Sequence, residues 1–315
     1  MATIDQHFAD RLSQACVDKG APVCAGIDPV FDRLPPALRD GVADTAAERA
    51  ATIGRFVEAV LDAVTPHVPC VKLQSACFER YLWPGVETYH RLIHSARQRG
   101  LIVIGDAKRG DIGISSEHYA AGCLEDTAFA DFGPLPGPDA LTINSYLGAD
   151  AIAPFVTSAA RGHKGLFALV RTSNPDSDAI QSLALADGRC VADAVAQTVA
   201  AAGDADALIG RCGYSLLGAV VGATKSQDAA RLRSLMPRQI FLVPGFGAQG
   251  ATADDVRACF DEQGGGALIT ASRSILYAFE KSTTDWQTAI ADAAKQMNQQ
   301  IADMLPTPAA NEPRA

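Results

Sequence analysis

Eight short apolar runs alternate with helix-length segments along nearly the whole chain, and no other feature constrains the fold as strongly. Between the runs, apolar residues recur at helical spacing, for instance in TAAERAATIGRFVEAVLDAV and SSEHYAAGCLEDTAF. Continuous apolar strands joined by helices predict a parallel sheet covered by helices. The runs lie at residues 22–28, 70–74, 101–108, 140–144, 165–172, 216–224, 239–245 and 266–273.

The number of these units selects the architecture. Eight strand and helix pairs within about 250 residues are typical of a (β/α)8 barrel, whereas an open doubly wound sheet usually has fewer strands and a glycine fingerprint after the first. Here the first run is followed by DPVFDRLPP, without G-x-G-x-x-G. We therefore predict an α/β protein with a single (β/α)8 TIM-barrel domain over residues 1–303, including an N-terminal helix at about 4–19 and a final helix at about 284–303.

Two stretches rich in Gly or Pro fall outside this alternation. DFGPLPGPD, at 131–139, is interpreted as a loop within the barrel domain. Residues 304–315, which end in PTPAANEPRA, are expected to be a disordered tail. The sequence assigns no function to either stretch.

The composition excludes several classes of partner. The formal net charge is −9 and the 27 Lys and Arg residues are scattered, so neither nucleic acid nor an anionic membrane is an expected partner. The N-terminus has no apolar signal core, and no run of about 18 apolar residues occurs. The eight cysteines form no C-x-x-C pair, which is expected of reduced thiols in a cytoplasmic protein.

Polar residues follow the apolar runs at the points where the predicted strands end. In a barrel these ends form one face, on which active sites are built. Asp28 alone could be an ordinary turn residue, and Lys72 alone could extend along a strand edge. Their coincidence with other polar residues favours a catalytic face. The set is Asp28, Lys72, Asp106, Lys108, Asn144, Arg171, Ser173, Thr224, Lys225, residues 244–249 and Arg273.

The densest of these groups is the run DAKRGD. Side chains alternate along a strand, so Asp106 and Lys108 are expected to point to the same side. If Ile102 and Ile104 fill the barrel, that side is its interior, and both charges lie over the open end. Asp111 falls near the start of the next helix, where it could cap that helix or reach a neighbouring subunit.

Two loops after the last strands carry a second pattern. VPGFGAQG lies at the end of the seventh predicted strand, and ITASRS lies at the end of the eighth. Loops at these positions often bind phosphate in barrels, because their backbone N–H groups point at the anion. Arg273 adds a fixed positive charge with several donors. The expected ligand is a small phosphorylated molecule.

Taken as an ordered set, these motifs resemble one family. DAKRGDIG, with VKLQ before it and RTSNP, PGFGAQG and ASRS after it, is similar to orotidine 5′-phosphate decarboxylases, in detail to their longer bacterial subfamily (type 2). The resemblance covers roughly residues 20–280. It implies conversion of orotidine 5′-monophosphate (OMP) to UMP and CO2 in de novo pyrimidine biosynthesis, without a metal or organic cofactor.

The resemblance also assigns roles to individual residues. Lys108 matches the family's proton donor, Asp106 the central carboxylate and Lys72 the lysine that steadies this charged array. Asp111 matches the aspartate that completes the array in the partner's site of a homodimer. The remaining matches contact the ribose, the pyrimidine or the phosphate, and they are Asp28, Ser115, Ser173, Pro244, Gln249 and Arg273.

One departure from the family follows the motif aspartate. Many relatives have Asp-Ile-Pro, whereas this chain has Asp111, Ile112 and Gly113. Glycine lacks the ring that fixes the backbone of proline, so this loop is expected to be less stiff. The resemblance gives no role to Arg109.

Three alternatives stay open at the level of sequence. A metal-dependent sugar-phosphate decarboxylase or isomerase of the same barrel group shares the Asp-x-Lys-x-x-Asp run, but it binds Mg²⁺ with an acidic residue where this chain has Lys72. A Schiff-base aldolase would use Lys72 or Lys108 as a neutral amine, which neighbouring carboxylates disfavour. A non-catalytic relative would be expected to lack one of four residues, and all four are present: Lys72, Asp106, Lys108 and Asp111.

Overall fold

All eight apolar runs form strands of one closed barrel. The computed structural model describes residues 6–130, 133–247, 250, 252–282 and 285–306. Its strands are β1 (Val23–Ile27), β2 (Cys70–Gln74), β3 (Ile102–Arg109), β4 (Thr127–Phe129), β5 (Gly133–Leu135), β6 (Ala140–Ile143), β7 (Gly165–Arg171), β8 (Leu217–Val221), β9 (Phe241–Pro244) and β10 (Ala267–Ala271). The closed order is β1, β10, β9, β8, β7, β6, β3, β2, and every neighbouring pair is parallel. The predicted (β/α)8 barrel is confirmed.

Helices cover the outside of the barrel, and the long ones bury an apolar face, as α3 shows. In the third helix, Thr45 caps the N-terminus by accepting from the N–H of Glu48 at 3.2 Å, and Ile53, Phe56 and Val60 are buried. The helices are α1 (Phe8–Lys19), α2 (Pro36–Arg39), α3 (Ala46–Val64), α4 (Ala76–Glu79), α5 (Leu82–Gln98), α6 (Gly113–Cys123), α7 (Ala149–Arg161), α8 (Asp178–Gln181), α9 (Val191–Ala202), α10 (Ser226–Leu235), α11 (Ala253–Arg257), α12 (Arg273–Leu276) and α13 (Trp286–Met304).

The N-terminal helix α1 closes the end of the barrel at which the strands begin. Phe8 and Leu12 are buried in the cluster of apolar side chains that fills the barrel. The ring of Phe8 meets that of Phe167 edge to face, with centroids 6.1 Å apart. A Cβ on Gly165 would lie 2.2 Å from the Phe8 ring, so a glycine is required there. Burial of a phenylalanine contributes about 1.5–3 kcal/mol, enough to fix this helix in place.

The structure corrects one predicted helix and one predicted loop. The helix expected over 115–129 ends at Cys123, and Thr127–Phe129 instead pair antiparallel with Gly133–Leu135, inside the expected loop. The carboxylate of Asp126 holds the chain here, since it accepts from the N–H of Gly137 at 2.8 Å and from Lys164 at 2.7 Å. Pro134, Pro136 and Pro138 follow closely and disfavour continuation of a helix through this region.

Other boundaries differ by a few residues. The N-terminal helix starts at Phe8 rather than near residue 4, and the final helix runs over Trp286–Met304, with Asp285 as its cap. The expected tail lies outside the described residues from 307 onward. All eight cysteines are within the described ranges, and none forms a disulfide. Every helix of these ranges is too short or too polar to span a bilayer.

Candidate active site

A cavity of about 610 Å³ opens where the barrel strands end. Every barrel strand, or the loop that follows it, contributes to its wall. Leu169, Val220 and Leu242 make part of the wall apolar. Seven of the ten predicted site residues line the cavity, namely Asp28, Lys72, Asp106, Lys108, Ser173, Pro244 and Arg273.

The centre of the cavity is a carboxylate held between two ammonium groups. Lys72 Nζ lies 2.5 Å from Oδ2 of Asp106, and Lys108 Nζ lies 2.6 Å from Oδ1. Asp28 stands 3.7 Å from Lys72 Nζ. Gln74, two residues after Lys72 on β2, donates to Oδ2 of Asp106 at 3.3 Å. Both oxygens of Asp106 are therefore occupied before any ligand is present.

This array keeps its charges despite burial. Burial alone would raise the pKa of Asp106, but Lys72 and Lys108 hold it well below its usual range. Burial alone would lower the pKa of Lys72, but Asp106 and Asp28 raise it above its ordinary value. The side chain of Lys72 is only 7% exposed, whereas that of Lys108 is 45% exposed and reaches the open cavity. Of the two lysines, Lys108 is therefore the more accessible to a ligand.

Asp106 and Lys108 face the cavity through an irregular strand rather than a regular one. Residue pairing between β3 and β6 jumps from Gly105 with Leu141 to Arg109, which pairs with a residue only two positions further along β6. Within this bulge Lys108 has a φ of 48°, a left-handed conformation that is uncommon for a side chain other than glycine. The expected placement of both charges is observed, but simple alternation does not produce it.

One wall of the cavity ties the first and last strands together. Tyr277, just after α12, donates to the carbonyl of Asp28 at 3.0 Å and accepts from the N–H of Val30 at 2.8 Å. Burial raises the pKa of Tyr277 to about 12, so its hydroxyl stays protonated. Arg33 stacks 3.6 Å above the Tyr277 ring and pairs with Glu280 at 2.7 Å. The loop that carries Asp28 is thereby fixed to the segment that follows Arg273.

Arg171, which the sequence placed among the strand-end residues, lies beneath the loop of Ser173 rather than in the cavity. Its guanidinium pairs with Asp178 and, at 2.8 Å, with Asp228. Lys225 also binds Asp178, at 2.8 Å. The side chain of Arg171 is 4% exposed. These contacts hold the loop that presents Ser173 to the cavity.

Several predicted residues do not reach the cavity of their own chain. Asp111 accepts from the N–H of Ile112 at 2.8 Å and does not line the cavity, nor does the exposed Ser115. Asn144 was expected on the catalytic face, but it is exposed and accepts from the N–H of Tyr146 at 3.0 Å. Gln249 lies outside the described residues.

Two features around the motif receive a structural explanation. Gly113 has a φ of 52°, which proline cannot adopt. A relative with Asp-Ile-Pro at these positions therefore cannot adopt the loop conformation of this chain. Arg109 pairs with Glu79 in α4, on the side of β3 away from the cavity, and donates to the carbonyl of Ala107 at 3.2 Å. Arg109 thus anchors the bulge.

Sequence reasoning missed several residues of the cavity wall. Gln74 lies two residues after Lys72, and Thr142 lies two residues before Asn144. Because side chains alternate along a strand, extending the prediction by two residues from Lys72 and from Asn144 would have indicated both. Tyr277 and Arg33 carry no comparable signal, because they reach the cavity from loops. Among the described residues, no three His, Cys, Asp or Glu side chains are grouped so that they could hold a metal ion.

Comparisons with known proteins agree with this geometry. The model of the orotidine 5′-phosphate decarboxylase / HUMPS family matches residues 31–284. An orotidine 5′-phosphate decarboxylase of Rhodopirellula baltica is 42% identical over 93% of this chain and 98% of its own length. That of Deinococcus radiodurans is 38% identical over 86% of this chain and 89% of its own length.

Solved structures share the same barrel. A Streptomyces avermitilis protein is 34% identical and has a TM-score of 0.77, with 96% of this chain and 97% of that chain covered. The OMP decarboxylase of Leishmania donovani is 26% identical, with a TM-score of 0.73 over 95% of this chain and 98% of its own. The family model spans well over half of the sequence, and relatives above 30% identity cover nearly all of it. The chain therefore belongs to the orotidine 5′-phosphate decarboxylase / HUMPS family.

Proposed function

We propose that this cavity carries out the reaction for which the family is named, the decarboxylation of OMP to UMP and CO2 in pyrimidine biosynthesis. One observation carries the proposal. Lys72 and Lys108 bind opposite oxygens of the buried Asp106, at 2.5 and 2.6 Å, inside a cavity of nucleotide size. Such an array suits a reaction in which negative charge appears on carbon.

The chemistry explains why a fixed ammonium is needed. Loss of CO2 from C6 of the pyrimidine leaves an electron pair in the ring plane, where no adjacent π-system can delocalise it. An ammonium at C6 stabilises that charge, and its position is set before the substrate arrives. The bond between C6 and the carboxylate breaks, and Lys108 donates a proton to C6 to form the new C–H bond. This leaves Lys108 neutral, and water then reprotonates it. Asp106 and Lys72 keep Lys108 in place.

The remaining predicted residues are assigned to different parts of the nucleotide. Asp28 is assigned to a ribose hydroxyl, which fits its buried Oδ1, an atom without a hydrogen-bond partner among the described residues. Ser173 is assigned to the pyrimidine edge and Pro244 to the pocket wall. Arg273 is assigned to the phosphate, because it lines the cavity and makes no ion pair within the described part of the chain. Gln249 is assigned to the same phosphate.

We also propose a homodimer in which Asp111 and Ser115 serve the partner's cavity. Both lie at the surface of their own chain, in a segment with two exposed apolar residues, Ile112 (59%) and Ile114 (69%). Tyr146, just before α7, which packs against α6, is 75% exposed. Exposed apolar side chains of this kind are typical of a protein interface. A second copy of the chain would cover them and bring Asp111 to a Lys108.

The metal-dependent alternative within the same barrel group is less consistent with this cavity. A divalent cation bound by Asp106 would need the oxygen that Lys72 already contacts at 2.5 Å, and two cations would then repel each other. The aldolase alternative needs a neutral lysine, whereas the pKa of Lys72 is raised by Asp106 and Asp28 after the opposing effect of burial. The eight thiols support the expectation of a cytoplasmic enzyme.

One assay tests the proposed function. Purified protein is mixed with OMP, and the loss of absorbance of the orotate ring is followed with and without EDTA. We expect turnover to UMP that EDTA does not change. Absence of turnover would reject the proposal, and turnover that EDTA abolishes would favour the metal-dependent alternative. Treatment with borohydride during turnover should trap no covalent adduct, since the aldolase mechanism alone predicts one.

A further inference from the structure

Thr142 is a cavity residue that neither the motif nor the proposed mechanism uses. It lies on β6, is 1% exposed and faces the cavity beside Asp106. Its Oγ1 accepts from the backbone N–H of Lys108 at 3.0 Å. The same hydroxyl donates to Oδ1 of Asp106 at 2.8 Å. One side chain therefore contacts both members of the central ion pair.

The direction of these two hydrogen bonds is fixed by chemistry. A backbone N–H can only donate, and an ionised carboxylate can only accept, so the single proton of the Thr142 hydroxyl must point at Asp106. Oδ1 of Asp106 then receives this proton and the ammonium of Lys108, at 2.6 Å. Thr142 on β6 thereby fixes the position of Oδ1 of Asp106, the oxygen that binds the ammonium of Lys108.

The bulge in β3 explains why this support is needed. Pairing with β6 skips from Gly105 to Arg109, so the N–H of Lys108 falls outside the regular ladder, and Lys108 adopts a φ of 48°. A left-handed residue whose part-buried N–H had no acceptor would be unfavourable. The hydroxyl of Thr142 supplies the missing acceptor. It stabilises the backbone conformation that directs Lys108 into the cavity.

We infer that Thr142 is a positioning residue for proton transfer, whose hydroxyl aligns Asp106 and Lys108 with the reacting carbon. This inference rests on the proposed function, since it presumes that Lys108 is the proton donor. Thr142 need not touch the substrate for this role. Its loss should affect the chemical step more than binding of the nucleotide.

Three variants separate the hydroxyl from the shape of the side chain. Thr142→Val keeps the shape and removes both hydrogen bonds, and Thr142→Ser keeps the hydroxyl. Thr88→Val is the matched control, because Thr88 is 4% exposed and its hydroxyl donates to the carbonyl of Pro84 at 2.8 Å in α5, away from the cavity. For each protein, kcat and KM for OMP, binding of UMP and melting temperature are measured.

A second readout follows proton transfer without decarboxylation. UMP is incubated with enzyme in D2O, and NMR measures exchange of its C6 hydrogen, in which Lys108 would remove the proton and return a deuteron. For Thr142→Val we expect kcat and the exchange rate to fall together by about 10- to 100-fold, as for a displaced catalytic group. KM and UMP binding should change less than about threefold. Thr142→Ser and Thr88→Val should keep a kcat within about threefold of the parent protein.

Two results would overturn the inference. One is a kcat and exchange rate for Thr142→Val equal to those of the parent protein, and the other is equal impairment of the Ser and Val variants. If the Val variant does not fold, Thr142→Cys replaces it, because a thiol is a weak donor. Lys108→Ala is run in parallel. Turnover retained by Lys108→Ala rejects the proposed function itself, whereas an inactive Lys108→Ala beside a normal Thr142→Val rejects only the role of Thr142.

Discussion

The ammonium of Lys108 lies 2.6 Å from Oδ1 of Asp106, so the proposed proton donor has its counter-ion in place before substrate binds. The other oxygen of the carboxylate is held by Lys72 at 2.5 Å. Groups fixed in this way do not need to reorganise when charge develops on the substrate. The arrangement makes separate predictions for each part of the cavity.

Replacement of Lys108 by Ala should remove the proton donor while the nucleotide contacts remain. We expect kcat for OMP to fall by about 10³-fold or more, because both acid catalysis and carbanion stabilisation are lost. Binding of UMP, measured by calorimetry, should stay detectable. Turnover near that of the parent protein would exclude the assigned role.

Replacement of Arg273 by Ala should affect the phosphate end alone. A charge-assisted hydrogen bond contributes about 1.5–3 kcal/mol, so kcat/KM for OMP should fall by about 10- to 100-fold. The value for orotidine, which lacks the phosphate, should change less than about threefold. Parallel kinetics with the two substrates provide the check, and equal losses with both would argue against a phosphate contact.

A mixture of two inactive variants tests the shared cavity of the proposed homodimer. Lys108→Ala and Asp111→Ala should each be inactive alone. In a mixed dimer, the Asp111→Ala chain supplies Lys108 and the other chain supplies Asp111, so one complete cavity is restored. Random exchange of subunits should recover about a quarter of parental activity. No recovery, with mixed dimers shown by native mass spectrometry, would place Asp111 outside the partner's cavity.

The contribution of the charged array to the stability of the protein should be constant around neutral pH and should be lost only in acid or in strong alkali. The pKa of Asp106 is held below its usual range by Lys72 and Lys108 against the effect of burial, so its contribution is present above about pH 4 and is lost as pH falls through the folded-state value. The pKa of Lys72 is raised by Asp106 and Asp28 against burial, so its contribution persists until pH rises above about 10.

Urea unfolding of the parent protein and of the double variant Lys72→Met with Asp106→Asn measures this dependence. The difference in free energy of unfolding should be constant between about pH 5 and 9. Below about pH 4 the parent should lose stability relative to the variant, by up to about 1.4 kcal/mol per pH unit. A difference that drifts steadily across neutral pH would contradict the assigned charges.

The barrel was predictable because its signals are local. Apolar runs, their spacing and the helical periodicity between them lie along the chain and need no knowledge of contacts. The error over 115–129 has the opposite cause. Thr127–Phe129 become a strand only because they meet Gly133–Leu135, and Asp126 binds Lys164 from a distant part of the chain.

Cavity residues at the ends of strands could be predicted from the sequence. Residues that reach the cavity only through the pairing of particular strands could not. Alternation predicts that Asp106 and Lys108 face the cavity, and they do, but the bulge of β3 and the left-handed conformation of Lys108 bring this about rather than a regular strand. Thr142 looks in sequence like any β-branched strand residue, and only the pairing of β3 with β6 brings it to Asp106. Asn144 was misplaced because β6 ends one residue earlier and its side chain binds the local turn.

Phe8 and Leu12 fill the end of the barrel at which the strands begin, so the cavity formed by the described residues opens at the strand ends. In the proposed reaction, OMP enters at the strand ends and the CO2 leaves by the same side. In this chain, the helix that seals one end of the barrel sets the exit route for both products.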